Sequence, residues 1–146
     1  MYLGKGEQFD TVEHMTREEF EKIVAEEFPR AVPERFRTLI KNVGFLVEDE
    51  PSAATRREQG LGRHETLLGL YRGIPHTARG GHYGQGPTLP DTVTLYQRPI
   101  EHAAHADTLP VAQVIRETIW HEVAHYFGYD EEQVRGRENH RKNGTI

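Results

Sequence analysis

Between Pro110 and Phe127 runs the longest helical pattern in the chain, and Gly128 stops it. Stepping about 100° per residue, Val111, Val114, Ile115, Thr118 and Ile119 fall in one arc. His121, Glu122 and His125 fall in or beside that same arc, so their polar tips point where the apolar face points. Burying such groups without partners costs several kcal/mol. Any fold built around this helix must therefore supply something for two imidazoles and a carboxylate to hold. Trp120, Val123 and Phe127 occupy the opposite face and read as core against other helices. Tyr126 reads as a packing residue.

A divalent cation answers that demand. His121 and His125 are one helical turn apart, about 6 Å along the axis and 40° in rotation, so both rings can converge on one ion. Glu122 is offset by about 100° and can sit beside the ion, within reach of a water on it. That is the mechanical content of H-E-x-x-H: two ligands and a general base. Zinc suits nitrogen donors and lowers the pKa of a bound water toward ~7. The chain has no cysteine, so a thiolate site, a disulfide framework and a Cys nucleophile are all excluded. It has 9 His, so a metal must be held by imidazoles and carboxylates. Zinc usually takes three protein ligands in a catalytic site. Gly128 can adopt the left-handed conformation that turns the chain sharply after a helix, and Asp130 follows two residues later. The motif spacing makes Asp130 the expected third ligand, with Glu131 and Glu132 as close substitutes.

The rest of the chain reads as follows. Residues 1–15 form a leading arm. Thr16-Arg17-Glu18-Glu19 is a capping box opening a helix with Phe20, Ile23, Val24 and Phe28, which Pro29 stops. A second helix starts from Pro33 with Phe36, Leu39 and Ile40 on one face, and Asn42 ends it. Val43–Val47 reads as a buried strand, Glu48–Glu65 as a loop, and Leu67–Tyr71 as a second strand. Gly73–Asp91 holds five glycines and three prolines, and connections of that length are usually functional or mobile. Thr92–Tyr96 alternates and is β-branched, the clearest strand. Pro99–Ala106 reads as a short helical turn, and Arg135–Ile146 as a polar, fraying tail. Two helices, three short strands and a long final helix make an α+β chain, expected to be a single domain over 1–146.

The segment His121–Asp130 (HEVAHYFGYD) resembles the H-E-x-x-H-x-x-G-x-x-H/D pattern of zincin metallopeptidases, with Asp in the third-ligand place. The chain is more closely similar to a family of small bacterial zincin-like proteins. The matching pieces are Asn42–Asp49 (NVGFLVED), Leu67–Pro75 (LLGLYRGIP), Leu89–Ile100 (LPDTVTLYQRPI) and the long helix through Asp130. The resemblance implies a zincin-like fold, a small mixed sheet packed with helices, in which the strand near Thr92–Gln97 lies along the cleft. It implies Zn2+ on His121, His125 and Asp130, with Glu122 catalytic and a peptide or unstructured protein as substrate. An extended peptide is then expected to pair with Thr92–Gln97 as an exposed edge. One departure stands out. The larger metzincins have a Met-containing turn below the metal, and this chain has only Met1 and Met15.

Two other functions compete. Metal-dependent endoribonucleases of ribosomal-RNA maturation carry H-x-x-x-H-x-x-x-x-x-H, often with Gly-Tyr-Asp before the last His. Gly128-Tyr129-Asp130 matches that, but Glu131 stands where the third His belongs. Glu122 is also superfluous there, and the net charge of -5 lacks the basic footprint of a nucleic-acid partner. A non-catalytic zinc-binding module needs a fourth protein ligand, from Glu131, Glu132 or a loop His. His102 and His105, spaced i, i+3, read as exposed residues rather than a second ion site. His76 and His82 lie in the glycine-rich loop, as solvated residues or as donors over the cleft. No run approaches the ~20 apolar residues of a membrane span, and the start lacks a signal-peptide pattern, so a cytoplasmic location is expected.

Overall fold

The computed structural model describes residues 2–5 (as backbone), 14–73 and 90–129. Along the chain come β1 (Tyr2–Lys5), α1 (Arg17–Ala31), α2 (Glu34–Arg37), β2 (Val43–Glu48), α3 (Ala53–Glu58), β3 (Glu65–Arg72), β4 (Asp91–Tyr96), α4 (Gln97–Asp107) and α5 (Val111–Tyr126). The class is α+β, with a mixed four-stranded sheet in the order β1-β3-β4-β2. β1 and β4 each run antiparallel to β3, while β2 and β4 are parallel.

Thr16 is the N-cap of α1, as expected. Thr16 accepts from the Glu19 N–H at 3.1 Å, and its hydroxyl donates to the Glu19 carboxylate. Pro29 does not stop the helix, which runs on to Ala31 and closes with the Val32 N–H on the Phe28 carbonyl. Proline removes one hydrogen bond, but near the helix end that loss is offset by complete burial of Ala31 and Val32. α2 is shorter than the apolar spacing suggests: Phe36 packs inward while Leu39 is 51 % exposed. Asn42 does break the backbone, at φ 56°.

Further sequence expectations change. Tyr2–Lys5, read as part of an arm, pairs as β1. Such a short strand acquires its structure from its partner rather than from a pattern of its own. His14 and Met15 also belong to the folded body, with the Met15 N–H on Glu101 and the Met15 carbonyl on Gln97. The loop Glu48–Glu65 contains α3, opened by Ser52 capping the Thr55 N–H. β2 is an edge strand with Leu46 48 % exposed, not a buried one. Most consequential, β4 is an interior strand, hydrogen-bonded to β3 on one side and β2 on the other. It has no free edge for a peptide. Its β-branched alternation specifies a strand but not its place in a sheet.

One core joins α1, α4 and α5 to the sheet: Phe20, Val24, Leu68, Val93, Leu95, Ile100, Ile115, Ile119 and Val123 are buried together. Burying each such side chain contributes about 1.5–3 kcal/mol. A smaller cluster forms around Leu67, Leu70 and Tyr96. α4 is an eleven-residue helix, longer than the expected turn because Ile100 and Ala104 reach the main core. No described helix is long and apolar enough to cross a membrane. Residues 74–89 and 130–146, including His76, His82 and the Arg-rich tail, lie outside the described residues.

Candidate metallopeptidase site

α5 delivers the H-E-x-x-H residues to the end of the sheet where β3 finishes and β4 begins. Val114, Ile115, Thr118 and Ile119 are buried as the wheel requires. The Thr118 hydroxyl is satisfied by the Val114 carbonyl at 2.7 Å. On the other side Trp120 and Phe127 pack against the Phe36 ring at centroid distances of 5.8 and 5.3 Å. Both are buried, as is Val123.

His121 is buried, Glu122 is fully buried, and His125 is half-buried. The two imidazole centroids stand 5.3 Å apart with planes at 62°. The Glu122 Oε1 accepts a hydrogen bond from the Tyr71 backbone N–H at 3.0 Å. That bond links the acid to β3. Tyr71 is itself fixed from three directions. Its hydroxyl donates to Asp91 Oδ2 at 2.6 Å, and its ring meets Tyr126 edge-on at 6.3 Å. The Tyr126 hydroxyl in turn bonds the Lys41 backbone, N–H at 3.2 Å and carbonyl at 3.3 Å. Tyr126 is therefore a strut as well as a packing residue.

Gly69 permits the approach of helix to strand. A Cβ there would stand 2.7 Å from Thr118 Cγ2 and 3.1 Å from Glu122 Cγ. Gly73, at φ 149°, leaves room for the Asp91 carboxylate that a Cβ would strike. Gly69 and Tyr71, which adjoin Glu122, and Asp91, which holds Tyr71, stand outside the H-E-x-x-H motif. A glycine inside an apolar strand is a signal of close backbone approach; a backbone N–H aimed at a carboxylate leaves no signal at all.

Past His125 the helix closes as expected. Gly128 is left-handed at φ 85°. Its N–H bonds the His125 carbonyl, and the Tyr129 N–H bonds the Ala124 carbonyl, the paired bonds of a Schellman end. Asp130, Glu131 and Glu132 lie outside the described residues. Among the described residues no three His, Asp or Glu side chains are grouped to hold a metal ion. In particular His102 and His105 form no such group: His105 is exposed and the His102 ring meets His14 at 5.5 Å, tilted by 54°. A groove of about 790 Å³ between α1 and β2, lined by Phe28, Ile40 and Phe45 among others, contains none of His121, Glu122 or His125.

No curated protein matches the chain. The zincin-like metallopeptidase family matches residues 40–140, well over half the chain. The match runs from just before β2 to beyond α5 and includes His121, Glu122 and His125. Together with an α+β fold that sets those three side chains at one end of a mixed sheet, it makes this chain a member of the zincin-like metallopeptidase family.

Proposed function

We propose that the chain is a zinc-dependent peptidase that hydrolyses peptide bonds with Glu122 as general base and His121, His125 and Asp130 as metal ligands. The observation that carries the reading is the pairing of a fully buried carboxylate with two imidazoles on the same helix end. Two side chains that would hold one ion must lie close together, and the 5.3 Å between the ring centroids supports that use. Neutral imidazole and carboxylate are donors that suit zinc.

When bound, zinc supplies the Lewis acidity that makes a water a nucleophile near neutral pH. The chain's own groups do the rest. Glu122 takes the proton from the attacking water and returns it to the leaving amine. The Tyr71 N–H, by holding Oε1, keeps the carboxylate in one orientation throughout. Complete burial of Glu122 excludes bulk water from its flank. Activity on casein is the test: Glu122→Gln is expected to lose hydrolysis by about 10²–10⁴-fold while bound zinc per chain stays unchanged. His121→Ala is expected to lose the zinc. Equal hydrolysis by wild type and Glu122→Gln would remove the mechanism.

A further inference from the structure

Among the described residues the outer strands of the sheet are β1 and β2. β2 is separated from Glu122 by β4 and β3. The other side differs, because there the Tyr71 N–H of β3 is bonded to Glu122 itself. An extended polypeptide laid along that side of β3 must pass Gly69 and then Tyr71, and so must pass the acid. In this chain the place is already taken. β1 runs antiparallel on β3 with Lys5 opposite Glu65, Gly4 opposite Thr66, Leu3 opposite Leu67 and Tyr2 opposite Gly69. It ends two residues short of Tyr71.

Three observations mark β1 as a removable occupant rather than part of the frame. It lies outside residues 40–140, the part matched by the family, and without it β3 is an outer strand among the described residues. It is only four residues long. Its ladder is irregular between Tyr2 and Leu3, at the end beside Gly69. Each ladder bond contributes only about 0.5–1.5 kcal/mol net, and an incoming strand remakes the bonds it displaces. On these grounds we propose that β1 occupies the edge of β3 on which an extended substrate peptide pairs, so that this strand must leave before a peptide can lie across Glu122. The inference rests on the peptidase reading for its substrate class, and its test separates the two.

Directly opposed residues of an antiparallel pair have Cα atoms about 4.5–5.5 Å apart, within reach of a disulfide. The chain has no cysteine of its own, so Lys5→Cys with Glu65→Cys creates a single lockable pair. Placed in the Glu122→Gln background, the oxidised protein is expected to bind fluorescein-labelled casein at least about tenfold more weakly than the same protein after reduction. The single-cysteine variants are expected to show no redox effect. Equal affinity in both states, no casein binding in either, or a pair that fails to oxidise would each overturn the proposal. Leu3→Pro tests it from the opposite side, since proline removes a ladder donor. It is expected to speed amide exchange at Glu65–Gly69 and to tighten casein binding; faster exchange without tighter binding would also overturn it. If the reduced double variant with Glu122 intact binds casein but does not cleave it, the peptidase reading falls and the strand exchange stands.

Discussion

Gly69 is the residue on which strand and helix meet most closely. Thr118 is fully buried and its hydroxyl is tied to Val114, and Glu122 is fully buried and tied to Tyr71. Neither can yield easily to a methyl at the spacings found there. Gly69→Ala is expected to destabilise the fold by about 1–3 kcal/mol, the usual range for overpacking. The measurement is the urea midpoint, with the slope unchanged. It is also expected to push the Glu122 carboxylate off the Tyr71 N–H, so casein hydrolysis falls by more than the unfolded fraction explains. At this scale the legible and the illegible divide cleanly. His121, Glu122 and His125 could be assigned to one helix end because helical period is local. The partner of Glu122 could not, because it is a backbone N–H 51 positions away on another element.

Elements hold the site through their ends. Gly128 in the left-handed region closes α5 immediately after His125. A side chain with Cβ costs roughly 1–2 kcal/mol in that conformation. Gly128→Ala is therefore expected to lower the thermal midpoint, and Gly128→Asn to recover most of the loss, since Asn tolerates the conformation. At its own start, α1 is tied to the end of β2. Arg17 donates to the Val47 carbonyl at 2.8 Å and to Asp49 Oδ1 at 2.7 Å. The bond from Arg17 holds the Asp49 carboxyl below its ordinary value of 3.8. A depressed acid stabilises the fold above its unfolded pKa, and that contribution is lost as pH falls below 3.8 through the folded value. The pair is largely exposed, so it contributes under about 1 kcal/mol. Asp49→Asn is expected to reduce stability slightly at pH 7 and to match wild type at the acid end, as read by urea unfolding at each pH. α1 and α5 were legible because caps and apolar period are written in adjacent residues. α3 was not, because a one-and-a-half-turn helix has no period to read, only the Ser52 cap.

The arrangement of the whole molecule was the least legible level. Strand order depends on which faces the helices cover, and no local pattern encodes that. β4 therefore read as an edge and proved interior, while β1 did not read as a strand at all. The same non-local logic governs the last expectation, which concerns how a metal would couple the helix to the segment beyond it. An ion that binds only the folded chain stabilises it by about 2.7 kcal/mol when present at a hundredfold over its Kd. Adding zinc to the metal-free protein is expected to raise the thermal midpoint, and chelation to reverse the rise. His121→Ala and His125→Ala are expected to show no rise, because each leaves a single imidazole on the helix. Glu122→Gln is expected to keep it, because a base beside the ion is not a ligand; loss of the rise there would make Glu122 a ligand and leave the water without its proton acceptor. Asp130→Asn, Glu131→Gln and Glu132→Gln then divide the remaining question among themselves. If the chain turns at Gly128 in order to return a carboxylate to the ion, the Asp130 variant alone loses most of the zinc-induced rise. Retention of the full rise in all three would mean that the third donor comes from elsewhere in the chain.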